Sequence, residues 1–424
     1  MREKADVIVV GAGSSGLMAT IQAAEQGVRV ILIEKNPQAG RKLLLTGGGR
    51  CNVTNRTTKE RLIEYIPGNG KFLYSALSQF DPEDIVAFFE NAGVALKEED
   101  HGRMFPTTDR SKTILDTLLA TIKDLDVDIL YQSPVSNIIL NPERTNIKGV
   151  QLENGDIIEG KTLILATGGR AYPATGATGD AYGWVEQLGH TVSELYATEA
   201  PLLSSDSFIT SKELKGTPLR DVEVTVWDGA IGGQAIVHHR MDMIFTHFGY
   251  SGPAILRCSG HVNLYLRETK ESVCHLSIDL IPDLSIEQLE GYAQTHRDQQ
   301  LITILKRWMP EKMAHTLTKQ IQLPADKRYK QLDSDEPKRL WQAVKYFPMS
   351  AYGSQPIEKG FVTGGGVCTD EVNPSTMESR IIDGLYFCGE LLDINGYTGG
   401  YNITAAFVTG TVAGRQAAWA SMAQ

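Results

Sequence analysis

The stretch ADVIVVGAGSSGLMATIQAAEQGVRVILIEK, residues Ala5 to Lys35, decides the fold. Asp6 to Val10 is a short apolar run rich in β-branched residues, the pattern of a strand buried on both faces. Gly11, Gly13 and Gly16 follow it in G-x-G-x-x-G spacing. The first glycine permits a tight turn, the second lets backbone approach a pyrophosphate, and the third lets the next helix pack close to the strand. Ser14 to Gln26 reads as that helix, with Ser14 and Ser15 in its first turn and Gly27 as its stop. Arg29 to Ile33 is a second apolar strand, ending at Glu34. Eighteen residues separate Gly16 from Glu34, an offset that suits a carboxylate accepting hydrogen bonds from both ribose hydroxyls. The free N–H groups and positive end of the helix favour an anion there. Glu34 would repel a 2′-phosphate, which leaves FAD or NAD.

Length and charge narrow the class. A chain of 424 residues is long enough for two or three domains with a substantial core. Its 41 Lys and Arg stand against 51 Asp and Glu, and the resulting net charge of −10 disfavours broad nucleic-acid binding. No apolar run reaches the length of a membrane span, and the chain enters a strand without a signal peptide, so no membrane partner is expected. The five cysteines, Cys51, Cys258, Cys274, Cys368 and Cys388, never form C-x-x-C. Neither a disulfide framework nor a zinc site is expected, and a cytoplasmic location fits.

Texture along the chain predicts an α/β protein in which one cofactor domain is built from both ends of the sequence. The expected segments are 1–190, the first part of the dinucleotide-binding domain; 191–284, an inserted β-rich barrel; 285–345, a helical insertion; 346–359, a return strand of the barrel; and 360–424, the second part of the first domain. Within the first, Asp81 to Asn91 and Thr113 to Asp124 read as helices, and Val135 to Leu140 as a strand. Glu153-Asn154-Gly155-Asp156 reads as a hairpin turn. From Tyr196 to Leu280 the pattern is β-rich without long helices: Val222 to Trp227, Gln234 to His239, Met241 to Thr246, Ser272 to Leu280. Gly229 to Gly233 lies between two strands and is a turn, so the middle of the chain has no second G-x-G-x-x-G between strand and helix.

Near the other end, Gly384 to Glu390 forms a buried strand followed by a glycine and an acid. Gly399-Gly400-Tyr401-Asn402 then opens a last helix, roughly Thr404 to Ala423, rich in small residues. A dinucleotide with a polyol linker needs such a second platform. Glu390 suits ribityl or ribose hydroxyls, and the helix start suits a flavin edge where negative charge develops on reduction.

These motifs carry a resemblance. GAGSSG with Glu34, GRKLLLTGGGRCNVTN (Gly40 to Asn55), GRMFP (Gly102 to Pro106), ATGGRAYPATGATGD (Ala166 to Asp180), THFGYSGPAIL (Thr246 to Leu256), TGGGV (Thr363 to Val367) and GLYFCGELLDINGYTGGYN together resemble the YhiN/BaiN-like flavoproteins, often labelled NAD(P)/FAD-dependent or aminoacetone-oxidase-type oxidoreductases. The resemblance covers nearly the whole chain. It implies a Rossmann-like two-dinucleotide-binding FAD fold with an inserted β-barrel and a helical subdomain. It also implies that Lys35, Arg41, Lys42, Gly49, Val135, Thr167, Gly389, Glu390, Tyr401, Asn402 and Ile403 lie along the cofactor; their neighbours Arg50, Gly168 and Gly400 are further expected cofactor-binding residues.

The expected activity is a two-electron, hydride-transferring oxidoreductase acting on a small organic substrate, with NAD(P)H as a transient donor. Three residues are candidate catalytic groups. Cys51 stands close to where flavin disulfide reductases keep a redox pair, but its partner cysteine is missing, so a packed or flavin-adjacent thiol is expected. Arg103 suits an anionic substrate or the reduced flavin. His247, before Gly252-Pro253, suits acid–base chemistry. His238 and His239 alternate on a strand, so at most one faces inward. No spacing of His, Cys, Asp and Glu marks a metal site. The alternatives are an oxidase of an amine or aminoketone using dioxygen, and a flavin-dependent RNA-modifying enzyme. A non-catalytic FAD-binding regulator is a third. No obligate protein partner is expected.

Overall fold

The computed structural model describes residues 2–424. Two compact units divide it: residues 1–196 with 362–424, and residues 197–361.

The first unit is built on a mixed sheet. Its strands are β1 (Arg2–Val10), β2 (Val30–Ile33), β3 (Asp128–Leu130), β4 (Val135–Leu140), β5 (Ile147–Leu152), β6 (Ile157–Leu165) and β7 (Leu385–Phe387). The order is β3-β2-β1-β6-β5-β4, and β7 also pairs with β6. Pairs β2–β3, β1–β2, β1–β6 and β6–β7 are parallel, whereas β4–β5–β6 is an antiparallel meander. One edge of β6 is shared, with Ile157–Glu159 pairing with β5 and Leu163–Leu165 with β7. The two ends of the chain therefore meet in one sheet.

All parallel strands end along the same edge. There Gly11 N–H donates to Ile33 O, Ala166 N–H to Val10 O, Glu34 N–H to Leu130 O and Cys388 N–H to Leu165 O. The turns that carry Gly11, Glu34, Thr167 and Gly389 leave the sheet from this edge, where open α/β sheets bind their ligands. The predicted hairpin at Glu153–Asp156 joins β5 to β6, with Gly155 at φ +86°.

Helix α1 (Ser14–Ala24) lies on the sheet and α2 (Tyr401–Met422) lies on α1. Backbone meets backbone in both contacts. A Cβ on Gly16 would sit 1.8 Å from Gly11 O, one on Gly410 2.3 Å from Ser15 O, and one on Gly414 2.3 Å from Ala19 O. α1 is buried on nearly every side, consistent with its largely apolar sequence.

The second unit holds an antiparallel seven-stranded sheet. Its order is Phe347–Ala351, Cys274–Asp279, Pro218–Asp228, Gln234–Phe245, Gly249–Ser251, Leu202–Leu203, Gly353–Ser354. A single residue, Tyr352, separates the first and last of these strands in sequence, so the sheet must curl until its ends approach. Helices Ile286–Thr295, Leu301–Leu305, Glu311–Gln320 and Glu336–Lys345 share one hydrophobic core with the sheet, through Leu289, Ile304, Leu317 and Trp341 among others. The helical stretch expected at 285–345 thus belongs to the same unit as the strands.

Two expectations for this unit are corrected. Gln234 to His239 and Met241 to Thr246 are one continuous strand, Gln234–Phe245, because alternation passes unbroken through Arg240. The stretch read as free of long helices contains a 17-residue helix, Pro253–Thr269. Gly252, at φ +95°, turns the chain, and Pro253 starts the helix with its preset φ.

The glycine contacts give a direct test. Gly410→Val should lower stability by about 1–3 kcal/mol, read as a shift in denaturant midpoint. Gly183→Ala, in a helix where the added methyl meets no atom within 4 Å, should be neutral or slightly stabilising. Equal midpoints for Gly410→Val and the parent chain would refute the close approach.

Candidate cofactor site

The turn after β1 shows what each glycine does. Gly11 has φ +104°, and a Cβ there would lie 2.5 Å from Ala166 O. Gly16 admits nothing larger because Gly11 O occupies the space. At Gly13, φ −84°, a Cβ would meet no atom within 4 Å. That glycine keeps a space clear in front of the helix, and Gly168 and Gly49 likewise border open space.

Both helices that frame the crevice start without a side-chain cap or an acid in the first turn: α1 at Gly13 and α2 at Gly400. Two other helices do carry side-chain caps, Asp81 before Pro82–Asn91 and Ser285 before Ile286–Thr295. The uncapped pair leave N–H groups open to a ligand.

Glu34 is 7% exposed. Ala12 N–H donates to its Oε2 at 2.8 Å, and Asn36 donates to Oε1 through backbone N–H (2.8 Å) and Nδ2 (2.6 Å). These bonds hold the carboxylate at the tip of β2 beside the α1 turn. Arg41 donates to Asn36 Oδ1 at 2.8 Å, and Lys35 pairs with Asp180 and Thr178. Val135 begins β4 nearby, since Ser133 N–H donates to Glu34 O at 3.0 Å.

The second platform meets the first at α1. A Cβ on Gly389 would lie 2.4 Å from Ser15 Oγ, and Gly389 N–H donates to Thr409 Oγ1 at 2.9 Å. Lys42 pairs with Glu390 Oε2 at 2.6 Å, while Thr363 N–H donates to Glu390 Oε1 at 2.8 Å. Thr363 Oγ1 in turn accepts from Arg170 and Ala171 N–H, at 2.8 and 3.0 Å. Thr167 Oγ1 is sealed from solvent without a hydrogen-bond partner, which a bound ligand could supply.

At the start of α2, Tyr401 stacks on Tyr65 with ring centroids 4.8 Å apart, and Ile403 is buried. Asn402 spends its side chain on the preceding turn: Gly396 N–H donates to Oδ1 at 2.8 Å and Nδ2 donates to Gly396 O at 2.7 Å. Only its backbone remains for a ligand. The Gly47–Asn55 loop reaches the same helix start, where a Cβ on Gly400 would lie 2.8 Å from Asn52 Nδ2.

The candidate catalytic residues fare unequally. Cys51 is fully buried at φ +61°, and burial pushes its thiol up to about 12. It is a packed thiol, and no cysteine of the described residues forms a disulfide. Arg103 donates Nε–H to Asp100 O at 3.0 Å and lies over Phe105. Arg50 stacks on the same ring at 4.1 Å and pairs with Glu99 and Asp109. His247 is exposed on the second unit, edge-on to Phe248. Cys51 and Arg103 belong to the first unit and His247 to the second. Among the described residues, no group of three or more His, Cys, Asp or Glu could hold a metal, and no helix is long and apolar enough to cross a membrane.

Sequence reasoning missed Asn36 and Thr363, which orient the two acids. It quoted Thr363 within TGGGV but gave it no role.

Comparison with known proteins now adds the family. The HI0933-like protein Rossmann domain matches residues 5–416. The chain belongs to that family. Among its relatives is a ribosomal RNA dihydrouridine synthase of Escherichia coli (strain K12), 31% identical over 96% of each chain. A 3-dehydro-bile acid delta(4,6)-reductase of Clostridium scindens is 29% identical over 97% of this chain and 98% of its own. In fold, the chain resembles a 3-ketosteroid delta1-dehydrogenase from Sterolibacterium denitrificans, with TM-score 0.54 and 13% identity over the whole of both chains. The HI0933-like chain is a Rossmann-type FAD-dependent oxidoreductase.

The crevice suits FAD: open space at Gly13, an orphaned Thr167 hydroxyl, two uncapped helix starts and an acid at each end. Gly11 to Gly16 would hold the pyrophosphate, Glu34 the adenosine ribose, and Glu390 with Thr167 and Gly168 the polyol.

Gly13→Val is expected to fold normally, because the space is free, yet to purify colourless, with FAD affinity at least about 100-fold lower. Thermal midpoint and flavin absorbance read the two effects separately, and a yellow Gly13→Val protein would refute the assignment. For the cysteines, native protein at pH 8 should show one accessible thiol to Ellman's reagent, Cys368, since the other four are buried. Cys51→Ser should keep the parent rate of flavin reduction.

Proposed function

We propose that this chain uses FAD to reduce a carbon–carbon double bond conjugated to a carbonyl group in a small organic molecule, with NAD(P)H as donor. The observation that carries the reading is what two full-length relatives do by name. A dihydrouridine is a uridine with hydrogen added across a ring double bond next to a carbonyl. A delta(4,6)-reductase of a 3-dehydro-bile acid acts on double bonds conjugated to a 3-ketone. Both relatives match nearly all of this chain. Bound FAD supplies two-electron chemistry. Each turnover would consume one NAD(P)H and one proton, a hydride going to the β-carbon and a proton to the α-carbon.

The protein's share is orientation and charge. The positive end of α2, which starts at Gly400 without a side-chain cap, would favour negative charge on the flavin edge. NAD(P)H would visit without a fold of its own, as no second glycine fingerprint is present. Five free cysteines favour a cytoplasmic setting.

A ribosomal RNA uridine as substrate is the second reading, favoured by the E. coli relative's name. The net charge of −10 weighs against it, because phosphate contacts dominate RNA affinity.

Anaerobic mixing with NADH and NADPH should bleach the flavin absorbance with one of them, and 4-androstene-3,17-dione or a simpler enone should restore it. Absence of bleaching with both would rule out a nicotinamide-dependent reductase. Loss of dihydrouridine from ribosomal RNA in a strain lacking the gene would move the assignment to the RNA reading.

A further inference from the structure

A small three-stranded sheet in the first unit, made of Thr54–Asn55, Arg103–Pro106 and Leu96–Glu99, stands against the start of α2. Two buried asparagines make the join. Asn55, paired with Arg103 across the strands, donates from Nδ2 to Gly399 O at 3.0 Å and to His101 O at 2.9 Å. Asn52 accepts from Met104 N–H at 3.0 Å, and its Nδ2 would lie 2.8 Å from a Cβ on Gly400. The turn before Arg103 is pinned as well. Arg56 N–H donates to Gly102 O at 2.6 Å, and a Cβ on Gly102, φ +75°, would lie 2.8 Å from Arg56 O. Arg103 thus leaves a fixed backbone beside the residues that open α2.

The cations around it are spent. Arg50 and Lys97 share Glu99 and Asp109, which balances their charge, and Arg56 holds Glu83 and Glu98. Arg103, by contrast, pairs with no carboxylate among the described residues. Its Nε–H goes to Asp100 O at 3.0 Å, and its guanidinium lies over Phe105, 5.6 Å from the ring centroid. Both amino groups, Nη1 and Nη2, keep their donors, and the residue is half-exposed. Phe105, on the same side of the strand, borders the glycine loop: a Cβ on Gly47 would lie 3.0 Å from its Cε1. Added Cβ atoms on Gly48 and Gly49, the next two residues, would meet nothing within 4 Å. The unpaired cation therefore stands beside open space.

We propose that Arg103 binds the carbonyl oxygen of the substrate and stabilises the negative charge that gathers there during reduction. Hydride, supplied ultimately by NAD(P)H, forms a C–H bond at the β-carbon. The α,β π pair moves between the α-carbon and the carbonyl carbon, and the carbonyl π pair goes to oxygen, giving an enolate. A proton from water then bonds to the α-carbon and the carbonyl returns. A guanidinium with both amino groups unpaired suits that oxygen through charge-assisted hydrogen bonds. Donors aimed where charge develops favour the transition state over the ground state. The Phe105 ring and the bond to Asp100 O hold the fork beforehand, so little side-chain freedom is lost on binding. The enolate step rests on the reductase reading; the oxyanion site at Arg103 does not.

A phenolate presents the same charged oxygen on a planar conjugated frame, so the FAD-loaded protein is titrated with 4-chlorophenol and, as a neutral control, 4-chloroanisole. 4-Chlorophenol should bind at pH 7 with release of a proton, read by calorimetry in buffers of different ionisation enthalpy; 4-chloroanisole should release none. Arg103→Gln should weaken 4-chlorophenol by about tenfold or more and abolish the proton release, leaving 4-chloroanisole unchanged, while Arg103→Lys restores part of both. Each variant is first matched to the parent in FAD content and thermal midpoint. Should Arg103→Gln misfold, the parent's own proton release decides. 4-Chlorophenol bound as the neutral phenol, or not bound at millimolar concentration, overturns the site, as does equal binding to Arg103→Gln and parent. Arg103-dependent binding in a protein that reduces no enone refutes the reductase reading and leaves the site standing. Enone reduction at the parent rate by Arg103→Gln overturns the role of Arg103 and leaves that reading intact.

Discussion

Helix α1 is gripped by backbone on two sides, and the cofactor crevice depends on that grip. On the sheet side, Gly11 and Gly16 bring its first turn against β1 and Ala166; on the other, Gly410 and Gly414 of α2 lie against Ser15 O and Ala19 O. None of these four positions has room for a methyl group. Glycine in a helix interior costs about 1 kcal/mol relative to alanine. Two of them one turn apart in α2 are therefore explained by what they let approach. The result is a helix start that cannot drift from the strand ends where Glu34, Thr167 and Gly389 emerge.

That geometry also explains why the two framing helices lack caps. A serine or aspartate at position 13 or 400 would satisfy the free N–H groups of its own helix. It would also occupy the space that a phosphate or flavin edge needs. Asp81 and Ser285 supply such caps to two other helices. Leaving α1 and α2 open transfers that stabilisation to the ligand.

The first strand, turn and helix were legible because each glycine acts within a few residues of itself. Asn154-Gly155 was legible for the same reason. What escaped the sequence depends on distant partners. Thr363 accepts from Arg170 N–H across 193 residues, and no local pattern marks such a bond. Helix Pro253–Thr269 was missed because Gly260, Cys258, Ser259 and Val262 are poor or middling helix formers, held in place by burial and by Ser259 Oγ accepting from Ala200 N–H. Arg240 seemed to end a strand, yet its charge lies on the outer face with Asp221 and Asp283, and the inner row runs on through Val237, His239, Met241 and Met243. The three catalytic candidates were chosen by residue type. Type alone could not show that Cys51 is sealed or that Arg50 and Arg103 share the Phe105 ring.

The same long-range construction couples ligand binding to folding. Lys42 and Glu390 are 348 residues apart in sequence and 2.6 Å apart in space, so the crevice exists only when both ends of the chain have joined one sheet. An unfolded chain offers FAD no comparable site. Binding therefore adds to the stability of the first unit by mass action, about 2.7 kcal/mol when free FAD is one hundred times its dissociation constant. The second unit has its own core around Trp341, Phe347 and Leu276. Loss of FAD would withdraw that contribution from the joining of β7 and α2 to β6 and α1, the elements that frame the crevice.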